Sequence, residues 1–219
     1  MTPQFITIDF DTWPRSDYFH YYIERIKCKY TLNAELDLTP LMRVRSKKQL
    51  KFFPTLLYAI IRAVNQNTEF RMAYGANKQL GYWNYVVPSY TIFHEDDKTF
   101  SDVWSEYDIH FPTFYQHVIS DMETYKDVKG IKAKPNQPRN FCSISCIPWL
   151  SFTSFAQDTY EESEMLFPLI RFGKYFERNQ QTLLPLAVFV NHAVADGYHS
   201  SKLINDIQDL INRIDEWVD

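Results

Sequence analysis

The apolar run Leu183–Val190 constrains this chain more than any other segment. It carries no charge and reads as a buried strand. Downstream, Leu203, Ile207, Leu210, Ile211, Ile214 and Trp217 fall on one stripe of Lys202–Val218, the spacing of an amphipathic helix. Between the two lies His192-Ala193-Val194-Ala195-Asp196-Gly197. A strand therefore passes into a helix through a short turn, with a histidine at the strand end and an aspartate at a tight glycine turn four residues on. A base on a rigid element beside an oriented carboxylate suits proton transfer. The spacing alone is equally compatible with a structural histidine and a turn aspartate.

The other segments predict a layered α/β chain. Strands are expected over Phe5–Asp9, Ile26–Leu38, Phe70–Tyr74, Val86–His94, Thr99–Trp104, Phe141–Ile147 and Phe167–Phe176. Helices are expected over Ser16–Glu24, with Ser16 as N-cap, over Thr39–Lys48, with Pro40 in the first turn, over the nearly all-apolar Pro54–Asn65, and over Ile109–Tyr125. Asp127–Arg139 is polar, holds two prolines and reads as a loop. Strands and helices intermix without strict βαβ alternation, which favours a mixed sheet in layers over a doubly wound one. The length allows one domain or two small ones. With no linker or repeat in view, residues 1–219 are read as one.

Composition excludes several function classes. Five glycines and no G-x-G-x-x-G or Walker pattern argue against a phosphate-cradling loop. A net charge of -4 argues against a broad nucleic-acid surface. No apolar run approaches a membrane span, and the N-terminus has no targeting character. Three cysteines without a signal peptide fit a reducing cytoplasm. Cys142 and Cys146 lack a matching His/Cys pair, so they read as core or pocket thiols and no metal site is expected. Aromatic residues make up 17%, enough to line an apolar pocket with rings.

Several separated motifs carry a resemblance. They are Trp13-Pro14-Arg15, Glu69-Phe70-Arg71-Met72, Tyr90-Thr91-Ile92-Phe93-His94-Glu95, Thr99-Phe100-Ser101 and Trp104-Ser105-Glu106-Tyr107. Ser145-Cys146-Ile147-Pro148-Trp149-Leu150-Ser151-Phe152-Thr153-Ser154-Phe155, Gly173-Lys174-Tyr175, Leu184-Pro185-Leu186-Ala187 and Asn191–His199 follow in order. Along nearly its whole length the chain resembles the trimeric, catalytic-histidine chloramphenicol acetyltransferases. It is also similar to the acyltransferase core of 2-oxo acid dehydrogenase complexes, but no lipoyl domain or flexible linker is present.

The resemblance implies a two-layer α/β sandwich of the coenzyme A-dependent acyltransferase type and a homotrimer with active sites between subunits. It implies acetyl-coenzyme A as co-substrate, with no permanently bound cofactor, and inactivation of the antibiotic by O-acetylation. His192 matches the family's general base and Ser145 its oxyanion donor. Asp196 and Arg15 match the pair that supports the histidine turn. Tyr22, Cys28 and Phe100 match acceptor-pocket positions, with Tyr21 and Ile26 nearby, and Lys174 and Tyr175 match the coenzyme A side. The same chemistry on another hydroxylated acceptor, or a non-catalytic sequestering protein on this fold, are the alternatives.

The chain departs from the family pattern at a few positions. Asn191 replaces a second histidine and Ala195 a cysteine. Arg171 stands where the family often has a threonine that helps hold a water near the intermediate, which puts that contact in doubt. Gln157 and Thr159 replace apolar acceptor-pocket residues, so weaker chloramphenicol binding is expected.

Overall fold

The computed structural model describes residues 2–158 and 164–219. The described strands are β1 (Phe5–Thr7), β2 (Lys29–Asp37), β3 (Met72–Tyr74), β4 (Leu80–Trp83), β5 (Val87–His94), β6 (Thr99–Trp104), β7 (Phe141–Ile147), β8 (Leu169–Gly173), β9 (Phe176–Arg178) and β10 (Gln181–Asn191). The described helices are α1 (Ser16–His20), α2 (Thr39–Lys48), α3 (Phe52–Gln66), α4 (Phe111–Tyr125) and α5 (Gly197–Asn212). The main sheet runs β2-β10-β8-β7-β5-β6, with β9 also paired to β10, and β1-β4-β3 form a small second sheet. β7 is parallel to both β5 and β8, and the other pairings are antiparallel. The sheet is therefore mixed, as expected.

β10 is central because its sequence leaves it no solvent-tolerant face. Leu184, Leu186, Val188 and Val190 point into the main core, which also holds α3 residues such as Leu56, Ile60 and Val64 and the α5 residues Leu203 and Ile207. Ala187 and Phe189 point the other way, pack with Leu169, and are covered by Phe152, Phe155, Met165 and Phe167. A strand buried on both faces reads as an unbroken apolar run. Its ladder with β2 extends from Leu183↔Asp37 to Asn191↔Lys29 and delivers His192 to the C-terminal end of the strand at a fixed height. Among the described residues no helix is long and apolar enough to cross a membrane.

Several boundaries differ from expectation. α5 begins at Gly197, five residues before Lys202, because Asp196 caps it. Ser16 lies inside α1 and makes no cap bond, since Arg15 holds the N-cap position. α1 then widens into a π-helical turn, Tyr21–Ile26, closed by Lys27 in the left-handed region (φ 50°), so Ile26 and Cys28 precede β2 instead of belonging to it. Phe70 and Arg71 form a 3-10 turn ahead of β3. Residues 174 and 175 separate β8 from β9, where one continuous strand was expected. β4 was not anticipated. Residues 127–139 carry no helix or strand beyond a bridge from Lys132 to Asp102.

Candidate active site

The turn after β10 builds itself from Asn191. Its side-chain oxygen accepts the Ala193 N–H at 3.0 Å, and its carbonyl accepts those of Val194 and Ala195. The next residue, His192, donates its backbone N–H to the Cys28 carbonyl at 3.0 Å, which pins the turn to the start of β2. The imidazole lies flat against Tyr22, ring centroids 3.8 Å apart and planes 15° apart, and meets Tyr30 edge-on at 5.2 Å. Nδ1 is buried with no hydrogen-bond partner among the described residues, whereas Nε2 is not closed off. With Nδ1 enclosed, Nε2 is the nitrogen left to exchange a proton with a ligand.

Asp196 closes the turn and opens α5. Its Oδ1 accepts the N–H groups of Tyr198 and His199, at 3.0 and 3.5 Å, and faces His199 Nδ1 at 2.8 Å. Its Oδ2 accepts from Arg15 Nη1 at 2.7 Å. Burial acts to raise the Asp196 pKa, but bonds from Arg15 and His199 outweigh it and hold the carboxyl at about 2. A charged cap at a helix N-terminus is also favoured by the helix dipole. Two further contacts were not foreseen. The Tyr30 hydroxyl sits 2.6 Å from the buried Ser200 Oγ and 3.4 Å from the Ala195 carbonyl, tying β2 to α5. His199 Nε2 reaches to 3.7 Å from Glu69.

Ser145 lies on β7, and its hydroxyl is 2.8 Å from that of Thr91 on β5. Thr91 can donate to Ser145 Oγ, which frees the Ser145 proton for a ligand oxygen. Sequence reasoning missed this partner, because the register of β5 on β7 is a tertiary fact.

One chain does not bring Ser145 and His192 together. Ser145 pairs with Arg171, and Arg171 with Ala187, so Ser145 is level with Ala187 across two strand spacings. His192 is five residues further along, which puts the two residues roughly 20 Å apart at standard strand geometry. The positions expected to line the acceptor pocket divide the same way. Tyr22 and Cys28 sit with His192. Phe100 pairs with Phe93, whose ring meets Trp149 at 4.6 Å, on the Ser145 side.

A cleft of about 720 Å³ opens beside the histidine turn, lined by Tyr22, Cys28, Asn33, Gln157, Leu169 and Phe189 among others. Gln157 faces it, and Thr159 lies outside the described residues. Tyr175 meets Phe52 edge-on at 5.3 Å, and Lys174 is exposed next to it. Burial pushes the thiols of Cys142 and Cys146 up to about 12, so both stay protonated at neutral pH.

Similarity to known proteins decides what this arrangement belongs to. The family model described as chloramphenicol acetyltransferase matches residues 3–208. The chain belongs to the chloramphenicol acetyltransferase family. It is 40% identical over 215 residues to the chloramphenicol acetyltransferase of Clostridium perfringens, covering 98% of each chain. It is 36% identical over 214 residues to that of Staphylococcus aureus, covering 98% of this chain and 99% of the relative. A solved chloramphenicol acetyltransferase superposes with TM-score 0.83 at 21% identity, over 95% of this chain and 100% of the other. The dihydrolipoamide acetyltransferase of Azotobacter vinelandii shares the fold at TM-score 0.67 and 16% identity, over 87% and 84% of the two chains. The acyltransferase sandwich expected from sequence is thus the fold observed.

Proposed function

We propose that this chain transfers the acetyl group of acetyl-coenzyme A to a hydroxyl of chloramphenicol, which inactivates the antibiotic in the cytoplasm. The whole activity resides in one domain, residues 1–219. Family membership supports the reaction, and the stacked, pinned imidazole of His192 supports the assignment of the base. His192 Nε2 takes the proton of the acceptor hydroxyl as its oxygen attacks the thioester carbonyl. The carbonyl oxygen becomes an oxyanion, to which Ser145 Oγ–H donates while accepting from Thr91. Collapse breaks the carbon–sulfur bond, and the coenzyme A thiolate takes the proton back from Nε2. Arg15 and Asp196 keep the turn, and so the ring, in place. No metal or bound cofactor enters this scheme.

The active unit is a homotrimer whose sites join His192 of one subunit to Ser145 of its neighbour. The observation that carries this is the separation of roughly 20 Å within one chain. Both half-sites also leave large apolar side chains uncovered: Tyr21 and Ile26 are 45% and 52% exposed beside His192, and Phe100 and Trp149 are 54% and 61% exposed on the Ser145 side. Such patches mark surfaces that associate. Tyr22, Cys28, Phe100 and Gln157, with Thr159, line the acceptor pocket, and Lys174 and Tyr175 receive coenzyme A. Thiol release from acetyl-coenzyme A, with and without chloramphenicol, tests the reaction. Release that depends on chloramphenicol is expected, and none in its presence overturns the assignment of acceptor.

A further inference from the structure

Among the described residues Arg171 is a cation without a counter-ion. It is the Cα partner of Ser145 across the parallel β7–β8 pair. Ile144 and Ile170 point into the core, so alternation turns Ser143, Ser145 and Arg171 to the opposite face. Nη1 donates to the Ser143 carbonyl at 3.2 Å, to Ser143 Oγ at 3.3 Å and to the Ile170 carbonyl at 3.0 Å, all neutral acceptors. Among the described residues no carboxylate pairs with it. Asp102, whose charge bears on it, is bonded to Lys132 at 2.9 Å. Burial works against the charged form, yet a guanidinium keeps its proton in a protein. A partly buried cation held only by neutral acceptors is a standing cost to the fold. That cost is offset when negative charge arrives nearby.

The reaction brings negative charge to one place on this face, the oxyanion at Ser145. Ser143 and Ser145 are alternate residues on one face of one strand, about 7 Å apart. The Nη1 held 3.3 Å from Ser143 Oγ therefore lies no more than about 10 Å from the Ser145 hydroxyl. At that range a fixed charge acts strongly on an oxyanion and weakly on the neutral carbonyl that precedes it.

We propose that Arg171 supplies the fixed positive charge against which the tetrahedral oxyanion at Ser145 develops. The inference rests on the reading of Ser145 as oxyanion donor. Arg171 keeps all its protons throughout: the proton of the hydroxyl moves to His192 Nε2 and then to the leaving thiolate. The charge acts on the barrier and leaves the binding of both substrates alone.

The test is steady-state kinetics and thermal unfolding of Arg171→Gln, Arg171→Lys, Ser145→Ala and the Ser145→Ala/Arg171→Gln double variant. Arg171→Gln keeps a donor for Ser143 and removes the charge. It should lose about tenfold to a hundredfold in kcat, with both KM values within about twofold and Tm unchanged or higher. Arg171→Lys should keep most of the activity. In the Ser145→Ala background the same Arg171→Gln change should cost clearly less, because the oxyanion is no longer held there. Wild-type kcat in Arg171→Gln beside a crippled Ser145→Ala overturns this inference alone. Equal losses in Arg171→Gln and Arg171→Lys overturn it in favour of hydrogen-bond geometry, and a loss confined to the chloramphenicol KM overturns it in favour of acceptor binding. Unfolding of Arg171→Gln overturns it too, since the charge is argued to be a net cost to the fold. Normal turnover by Ser145→Ala instead removes the reading on which the inference stands.

Discussion

Arg15 Nη1 meets Asp196 Oδ2 at 2.7 Å across 181 residues of sequence, with the guanidinium 15% and the carboxylate 35% exposed. The contact joins the segment before α1 to the cap of α5 and so braces the turn that carries His192. Arg15 Nε and Nη2 are buried with no partner among the described residues, so the guanidinium depends on this one carboxylate. Asp196→Asn keeps a capping oxygen for α5 but removes the charge. It should lower Tm by about 2–6 °C at pH 7, after discounting for the exposure of the carboxylate, and lower kcat with it.

The same pair sets a pH dependence. Asp196 titrates at about 2 in the fold, below the ordinary carboxylate range. A depressed folded-state pKa gives stability that is complete above the unfolded value of about 4 and lost as pH falls towards 2. Unfolding scans should show a constant Tm gap between the wild type and Asp196→Asn above pH 5, closing between pH 4 and 2. A gap unchanged at pH 2 contradicts the pairing.

Ser145 and Thr91 share a hydrogen bond which, with Thr91 donating, leaves the Ser145 proton for the proposed oxyanion. Ser145→Ala should cut kcat by about 10²–10³, with little change in Tm, because the donor acts mainly in the transition state. Thr91→Val should cost less, since it removes the bond that orients the donor and leaves the donor itself. Rapid-quench or initial-rate kinetics on folded variants checks the order. A larger loss in Thr91→Val would reverse the two roles.

Gln157 faces the cleft beside Phe189 and Leu169. A polar side chain against the apolar part of an acceptor leaves hydrogen-bonding capacity unmet, at about 1–3 kcal/mol. Gln157→Leu should therefore lower the chloramphenicol KM by about tenfold while kcat stays within about twofold. An unchanged KM would show that this side chain does not meet the acceptor.

Where a segment is decided by its own residues, sequence and structure agree. β6 and β7 fall on the expected bounds, Thr99–Trp104 and Phe141–Ile147, because strand-type runs there stop at loops. β4 escaped notice because Gly81 interrupts it. A Cβ at that position would lie 2.4 Å from the Ile6 carbonyl oxygen and 2.6 Å from the Phe5 ring, so the glycine is there for a neighbour remote in sequence. α5 was placed late because its start depends on Asp196 turning its side chain back to cap it.

The candidate site divides on the same principle. His192 and Asp196 share one strand–turn–helix and stand out locally. Thr91 beside Ser145, Tyr30 beside Ser200 and Arg171 opposite Ser145 are set by strand register and helix docking, which no local pattern records. Gln157 is described at the cleft, and Thr159 is not among the described residues.

The central claim is that a working site takes His192 from one subunit and Ser145 from the next. Subunit mixing tests it most directly. His192→Ala alone should lose about 10²–10⁴-fold and Ser145→Ala about 10²–10³-fold, both as folded trimers by light scattering. Co-expressed in equal amounts, random cyclic trimers place an intact His192 against an intact Ser145 at about a quarter of their interfaces. The mixture should recover about a quarter of wild-type chloramphenicol acetylation. A mixture no more active than its two parents would place both residues of the site within one chain and contradict the account.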